Sequence, residues 1–240
     1  MTPKIRQLQL HDLEVSVCAM TSRPHDALFK AAFESPEHAA ALFQAILPPA
    51  IASAITWSSL TRASGSFIDP KLADRHTDLL FHAQMGDTRA LLYLLLEHQS
   101  TVIRDLLLRM LEYECRALRR HVNEHGWPLP IVIPALVCHA PGGWTEPTSF
   151  HELFAPPPTS LPGLAELVPD FSILVLDLTT IDNDKLQGWT LTALSKAALW
   201  LLRDSRDIPQ LLRNLRHFAR TIRELRRAPN GAEAFMKVLR

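Results

Sequence analysis

Ala90–Leu96 reads A-L-L-Y-L-L-L, a strand-length run that is apolar or aromatic at every position. A strand with one wet face alternates, so a run without alternation belongs in the middle of a sheet covered on both sides. This one segment is therefore expected to be a central, covered strand, which confines the chain to layered architectures. The run before it, Thr77–Ala83 (T-D-L-L-F-H-A), is separated from it by polar residues that include Gly86-Asp87, which predicts a hairpin. From Thr101 to His125 the period becomes helical. Val102, Ile103, Leu106, Leu107, Met110, Leu111, Leu118 and Val122 form one stripe, with Arg104, Asp105, Arg109, Glu112, Arg116 and Arg119 mostly off it. Gly126 and Pro128 stop that helix.

The remaining elements follow by the same logic. A helix is expected from Ala27 to about Leu47, with Asp26 as N-cap and Pro48-Pro49 as stop, and a second helical piece from Ala50 to about Thr61. Ile131–His139 and Phe171–Leu178 read as buried strands, and residues 190–227 as largely helical. Helices that separate strands in sequence cover the faces of one sheet, so the expected class is α/β in three layers around a mixed sheet. The expected divisions are an N-terminal arm (1–23), a main domain (24–182) and a basic helical C-terminal region (183–240).

Composition narrows the function classes. Cys18, Cys115 and Cys138 are odd in number, far apart and without a C-x-x-C, which excludes a disulfide scaffold. The N-terminus carries charges where a leader needs an apolar core, and no window approaches a membrane span. The expected address is the cytoplasm. Lys+Arg and Asp+Glu balance at 25 each, yet residues 1–199 carry a net −6 and residues 200–240 a net +6. The excess includes Arg213, Arg216, Arg220, Arg223, Arg226 and Arg227, at helical spacing. Such an edge either tracks phosphates or is a solvated helix face.

Chemistry concentrates at Asp78 on the first hairpin strand and Glu97-His98-Gln99 at the end of the second. Glu97 and Gln99 share a face because they are two apart. A loop centred between Asp87 and Thr88 sets Asp78 opposite Glu97. A slip of two sets it opposite Leu95 or Gln99 and keeps all three on one side, whereas a slip of one separates them. Two carboxylates that converge in this way repel, and a divalent cation is their natural partner. Hard oxygen ligands suit Mg²⁺ or Mn²⁺. The plainer alternative is that Asp78 ends a strand, Glu97 sits at a solvated strand tip and Ser100 caps the next helix.

Several words occur in order: P-H-D-A-L-F-K at Pro24–Lys30, A-I-L-P-P at Ala45–Pro49, G-S-F-I-D-P-K-L at Gly65–Leu72, T-D-L-L-F at Thr77–Phe81 and L-L-E-H-Q-S at Leu95–Ser100. P-I-V-I-P-A-L-V-C-H at Pro130–His139, Trp144, F-H-E-L-F at Phe150–Phe154 and V-P-D-F-S-I-L-V-L-D-L at Val168–Leu178 continue the series. Over about residues 24–180 the chain resembles the recombination-promoting nuclease (Rpn) family, often labelled "putative transposase", a bacterial branch of the PD-(D/E)XK nuclease superfamily.

The resemblance implies a restriction-endonuclease-like core and Mg²⁺-dependent cleavage of DNA linked to recombination or mobile elements. It maps the motif acid to Asp78 and the E-x-Q half to Glu97 and Gln99, with Gln99 where the superfamily usually has Lys. An amide there can orient water but supplies no positive charge. The His98 carbonyl completes the expected metal shell. Asp26 matches an acid that many superfamily members carry on the first helix, and Asp177, at the end of the last strand, is a further candidate. His25 and His98 either contact phosphate or pack. Arg104, Arg109 and Arg116 could hold the DNA backbone.

The rival expectation is a nuclease fold that binds DNA or a protein partner without cutting. Oligomeric state stays open, a dimer included. His121-Val122-Asn123-Glu124-His125 fits H-x-x-E-H, an inverted zinc-peptidase pattern, but Gly126 and Pro128 end the helix there, so a polar helix end is expected.

Overall fold

The computed structural model describes residues 24–63, 77–97 and 104–227; for 24, 77, 78, 90–97 and 226 only the backbone is described. The helix expected over 27–47 is two helices, α1 (Pro24–Phe33) and α2 (Pro36–Ile46). Pro36 has no N–H to donate and disfavours helical geometry at Ser35, which is extended at φ −73° and ψ 129°. The His38 ring donates to the Ala32 carbonyl across the break at 2.8 Å. Asp26 therefore sits within the first turn of α1, where a carboxylate favours the helix dipole, and not at the cap.

The second expected helical piece is corrected more sharply. Only α3 (Pro49–Ala54) is helical, and Ile55–Arg62 is a strand, β1. The sequence I-T-W-S-S-L-T-R is rich in β-branched and aromatic residues, and its antiparallel partner β2 (Thr77–Met85) decides the matter. β2 turns through Gly86 and Asp87 into β3 (Thr88–Glu97), as the hairpin signal predicts, with Gly86 at φ 55°. Helix α4 (Leu106–His125) crosses back to β4 (Ile131–Cys138), which lies parallel to β3. β5 (Leu174–Asp177) is parallel to β4 and shorter than the expected 171–178. Helices α5 (Asn183–Gly188), α6 (Ala193–Asp204) and α7 (Ile208–Arg227) end the described chain.

The five strands lie in chain order, β1-β2-β3-β4-β5, in one mixed sheet. Alternation sorts their side chains into two apolar layers. Leu79, Phe81, Ala83, Ala135, Val137 and Leu176 meet Phe29, Phe33, Leu42 and Phe43 from α1 and α2, and Ala198, Leu199 and Leu202 from α6. Leu136 points the other way, into a second cluster with Leu106, Leu107, Met110 and Tyr113 of α4 and with Phe150 and Ile173. Phe29, Phe33, Phe43, Phe81 and Phe218 are fully buried, each worth about 2–3 kcal/mol of transfer free energy. The region after residue 183, expected as an appendage, sends Leu186, Leu199, Trp200 and Phe218 into the first of these clusters. Among the described residues, no helix is long and apolar enough to cross a membrane.

Candidate active site

Strands β3, β4 and β5 run parallel, so their carboxyl ends share one edge of the molecule, and the start of antiparallel β2 joins them there. The tight turn at Gly86-Asp87 pairs Met85 with Thr88, and counting back from it pairs Asp78 with Leu95. This is one of the two-residue slips from the pairing with Glu97, so positions 78 and 97 keep the same face. One register row across the sheet reads Asp78, Leu95, Leu136, Val175, and the row two residues further on reads Glu97, Cys138, Asp177. Both rows belong to the face that α4 covers, because Leu136 and Val175 pack in its cluster.

Spacing separates the candidates. Positions 78 and 97 are diagonal neighbours on paired strands, about 7–8 Å apart, which two carboxylates can bridge through a cation. Asp177 is two strands from Glu97, about 10 Å at ~4.8 Å per strand, farther than position 78 is. Its oxygens are also engaged locally. Oδ2 accepts the Trp144 N–H at 2.8 Å, and Oδ1 accepts the Thr179 N–H at 2.9 Å and its hydroxyl at 2.7 Å. These bonds hold the loop after β4 against the turn after β5. The side chains of Asp78 and Glu97, and all of His98 and Gln99, lie outside the described residues. Among the described residues, no three His, Cys, Asp or Glu side chains are grouped to hold a metal ion.

Other groups reach the same edge from the opposite face. His139, the residue after β4, is buried and its ring lies 5.0 Å from that of His25 at the start of α1. His25 Nε2 is also 2.9 Å from Ser205 Oγ. Packing therefore accounts for His25, and it brings its neighbour Asp26, only 8% exposed, to this end of the sheet.

Beyond the carboxyl end of β4 a cleft of about 660 Å³ opens, lined by His139, Pro141, Thr180, Asp182, Arg203 and Gln210 among others. Its floor is a polar network that sequence reasoning missed. Arg203 donates to both oxygens of buried Asp204 at 2.7 and 3.0 Å, to the Ile181 carbonyl at 2.7 Å and to Asn183. Asn214 donates to Asp204 at 2.7 Å and accepts from Asn183 at 2.9 Å. No local signal marked it, because its members come from three separate helices.

Of the proposed phosphate contacts, Arg104 and Arg116 are exposed. Arg109 is half-buried, and its Nε and one terminal nitrogen have no hydrogen-bond partner among the described residues. The H-x-x-E-H motif forms the last turn of α4, at the far end of the sheet, with the His121 and His125 rings 5.1 Å apart.

A mixed sheet between helical layers, with acidic strand positions gathered at one end, defines a class of α/β protein with a candidate metal edge. The chain belongs to the family described as "Putative transposase, YhgA-like", which matches residues 23–229 and so runs past the stretch to about 180 that the motifs carry. It is 30% identical over 170 residues to "Recombination-promoting nuclease RpnD" of Escherichia coli O157:H7, covering 69% of this chain and 63% of that protein. It is 29% identical over 174 residues to "Recombination-promoting nuclease RpnA" of Escherichia coli strain K12 (69% and 56%). It is 28% identical over 188 residues to "Inactive recombination-promoting nuclease-like protein RpnE" of the same strain (78% and 61%). The chain thus spans about three fifths of the length of these curated relatives. No solved structure matches it.

Proposed function

We propose that the chain is a metal-dependent DNA endonuclease acting in recombination, with Asp78, Glu97 and Gln99 at its centre. The observation that carries this reading is the register of the β2–β3 hairpin, which keeps positions 78 and 97 on one face and two residues apart along the ladder. The order of three antiparallel strands, a covering helix and a parallel strand agrees with a restriction-endonuclease-like core. Relatives named recombination-promoting nucleases support the activity.

Asp78 and Glu97, with the His98 carbonyl, would hold Mg²⁺ or Mn²⁺: hard oxygens on adjacent strands suit such an ion and remove the repulsion between the carboxylates. When bound, the ion supplies positive charge beside the scissile phosphate. Gln99 aligns the attacking water through its amide oxygen, because an amide accepts a hydrogen bond without holding a charge. Arg104 and Arg116, exposed beside the start and middle of α4, hold backbone phosphates.

Plasmid nicking in Mg²⁺ and in EDTA tests the reading. Wild type should nick in Mg²⁺ only, and Asp78→Ala or Glu97→Ala should lose at least ~100-fold, the scale expected when charge stabilisation of the transition state is removed. Nicking that survives both EDTA and Asp78→Ala overturns it. Salt-sensitive DNA binding with no cleavage in any metal would instead mark a binding protein without nuclease activity; one relative is named an inactive nuclease-like protein.

A further inference from the structure

Arg109 of α4 carries a permanent charge, yet the N–H groups on its Nε and one terminal nitrogen are shut off from solvent and meet no acceptor among the described residues. A dry guanidinium keeps its charge whatever surrounds it, so leaving it unpaired costs stability. Unsatisfied buried donors are rare enough that each calls for a physical reason, and a ligand that arrives later is one.

Helix α4 brings Arg109 to the level of the proposed acidic pair. Leu136 shares the register row of Asp78 and packs with Leu106, Leu107 and Met110 at the start of α4. Leu80, the next residue of β2 on that face, is packed against the same cluster. His82 beyond it is held below the usual histidine range by burial first, and then by charges that include His125 and His121 at the far end of α4. β2 and α4 therefore run side by side away from the carboxyl edge. From His82 back to Asp78 is about 13 Å at ~3.3 Å per residue, and from His121 back to Arg109 about 18 Å at ~1.5 Å per residue. The Arg109 backbone thus lies about 5 Å beyond the level of Asp78, and Glu97 about 7 Å beyond it, two positions along the ladder.

The direction of the side chain follows from helix geometry. Arg109 falls on one flank of the buried stripe with Tyr113, and Leu107 and Leu111 fall on the other. Parallel strands joined through a helix cross over right-handedly, which turns the Arg109 flank toward β2 and the Leu107 flank toward β5. Leu107 and Leu111 share their cluster with Phe171, Ile173 and Val175 accordingly. A helical side chain also leans toward its helix N-terminus, which here is the carboxyl edge of the sheet.

We propose that Arg109 is a catalytic residue of the nuclease centre, its two unpaired N–H groups donating to the non-bridging oxygens of the scissile phosphate. The inference rests on the endonuclease reading. Asp78, Glu97 and Gln99 bring no positive charge of their own, whereas the transition state of hydrolysis spreads negative charge over the phosphate oxygens. The oxygen of water bonds to phosphorus and its proton passes to solvent. One sugar oxygen leaves with the electron pair of its bond to phosphorus and takes up a proton. A planar guanidinium spans two phosphate oxygens at once, which an ammonium does not.

Plasmid cleavage in Mg²⁺ under enzyme excess tests the role, together with duplex affinity by fluorescence anisotropy and thermal melting, both in EDTA. Arg109→Met should slow the saturated rate by ~100-fold, the scale of one lost donor to developing charge, and weaken affinity by less than ~3-fold. Arg109→Lys keeps the charge without the fork and should recover ~10-fold of the lost rate. The melting temperature of Arg109→Met should hold or rise, because an apolar chain replaces an unpaired dry cation.

A wild-type rate in Arg109→Met overturns the inference alone, with Asp78→Ala still abolishing cleavage. An affinity loss as large as the rate loss makes Arg109 a ground-state phosphate contact and overturns it too. A melting temperature that falls in Arg109→Met does the same, by making the guanidinium a structural counter-charge. No cleavage by wild type in any divalent metal removes the endonuclease reading and this inference together.

Discussion

Gly143 has φ +71°, and a Cβ built there would lie 2.5 Å from Asp177 Oδ2. That oxygen is already fixed by the Trp144 N–H. Gly143→Ala should therefore cost about 2–3 kcal/mol, read as a lower denaturant midpoint, because it combines a strained backbone with displacement of a bonded carboxylate. Glu114 of α4 is a second residue with a large predicted effect. Burial pushes its carboxyl up to about 7, and its Oε1 has no hydrogen-bond partner among the described residues. The native state thus holds a proton that the unfolded chain releases near pH 4.5, so stability should fall as pH rises from about 4.5 to 7. Glu114→Gln should flatten that window and stabilise the protein at pH 8 by on the order of 2 kcal/mol, after allowance for the group's partial exposure. Equal slopes for the two proteins in urea melts across that range would contradict the assignment.

Elements differ in how much of them the sequence discloses. The hairpin was legible because Gly86-Asp87 sits between two apolar runs, and α4 because its stripe persists for five turns. The pairing of Asp78 was open among even slips, since all keep the apolar faces matched; the tight two-residue turn chose one. β1 was misread because a short helix runs directly into it and its partner lies elsewhere in the chain. The break at Pro36 was visible as a proline but outweighed by the apolar spacing around it. The α6–α7 corner was illegible for another reason. Arg203, Asp204, Asn183 and Asn214 come from three elements, and nothing local marks them as partners. Asp204→Ala leaves the Arg203 guanidinium buried without its counter-charge, so it should destabilise by about 3–5 kcal/mol in chemical denaturation. Arg203→Met with Asp204→Leu should recover much of that loss, since two apolar groups leave no unpaired charge.

Over the whole molecule, charge is divided between an acidic body and a basic final helix. Arg213, Arg216, Arg220, Arg223 and Arg227 of α7 are exposed, while Asn214, Phe218, Thr221 and Leu225 bury its other side. If this edge follows a DNA backbone, Arg216→Ala with Arg223→Ala should reduce the slope of log affinity against log salt by about 2 and leave the melting temperature unchanged. An unaltered slope in fluorescence anisotropy would assign the stripe to solvent. The sheet's own margins carry a different consequence. At β1 the ladder skips between Thr56 and Thr61, and Ser59 Oγ accepts the Gln84 N–H that the skipped backbone leaves behind, while β5 is only four residues long. Among the described residues, neither rim offers the long, flat row of spare amides on which a neighbouring molecule could polymerise. Among the described residues, the sheet's rims are therefore poor templates for strand addition, and crowding this protein in a cell should not seed fibrils from them.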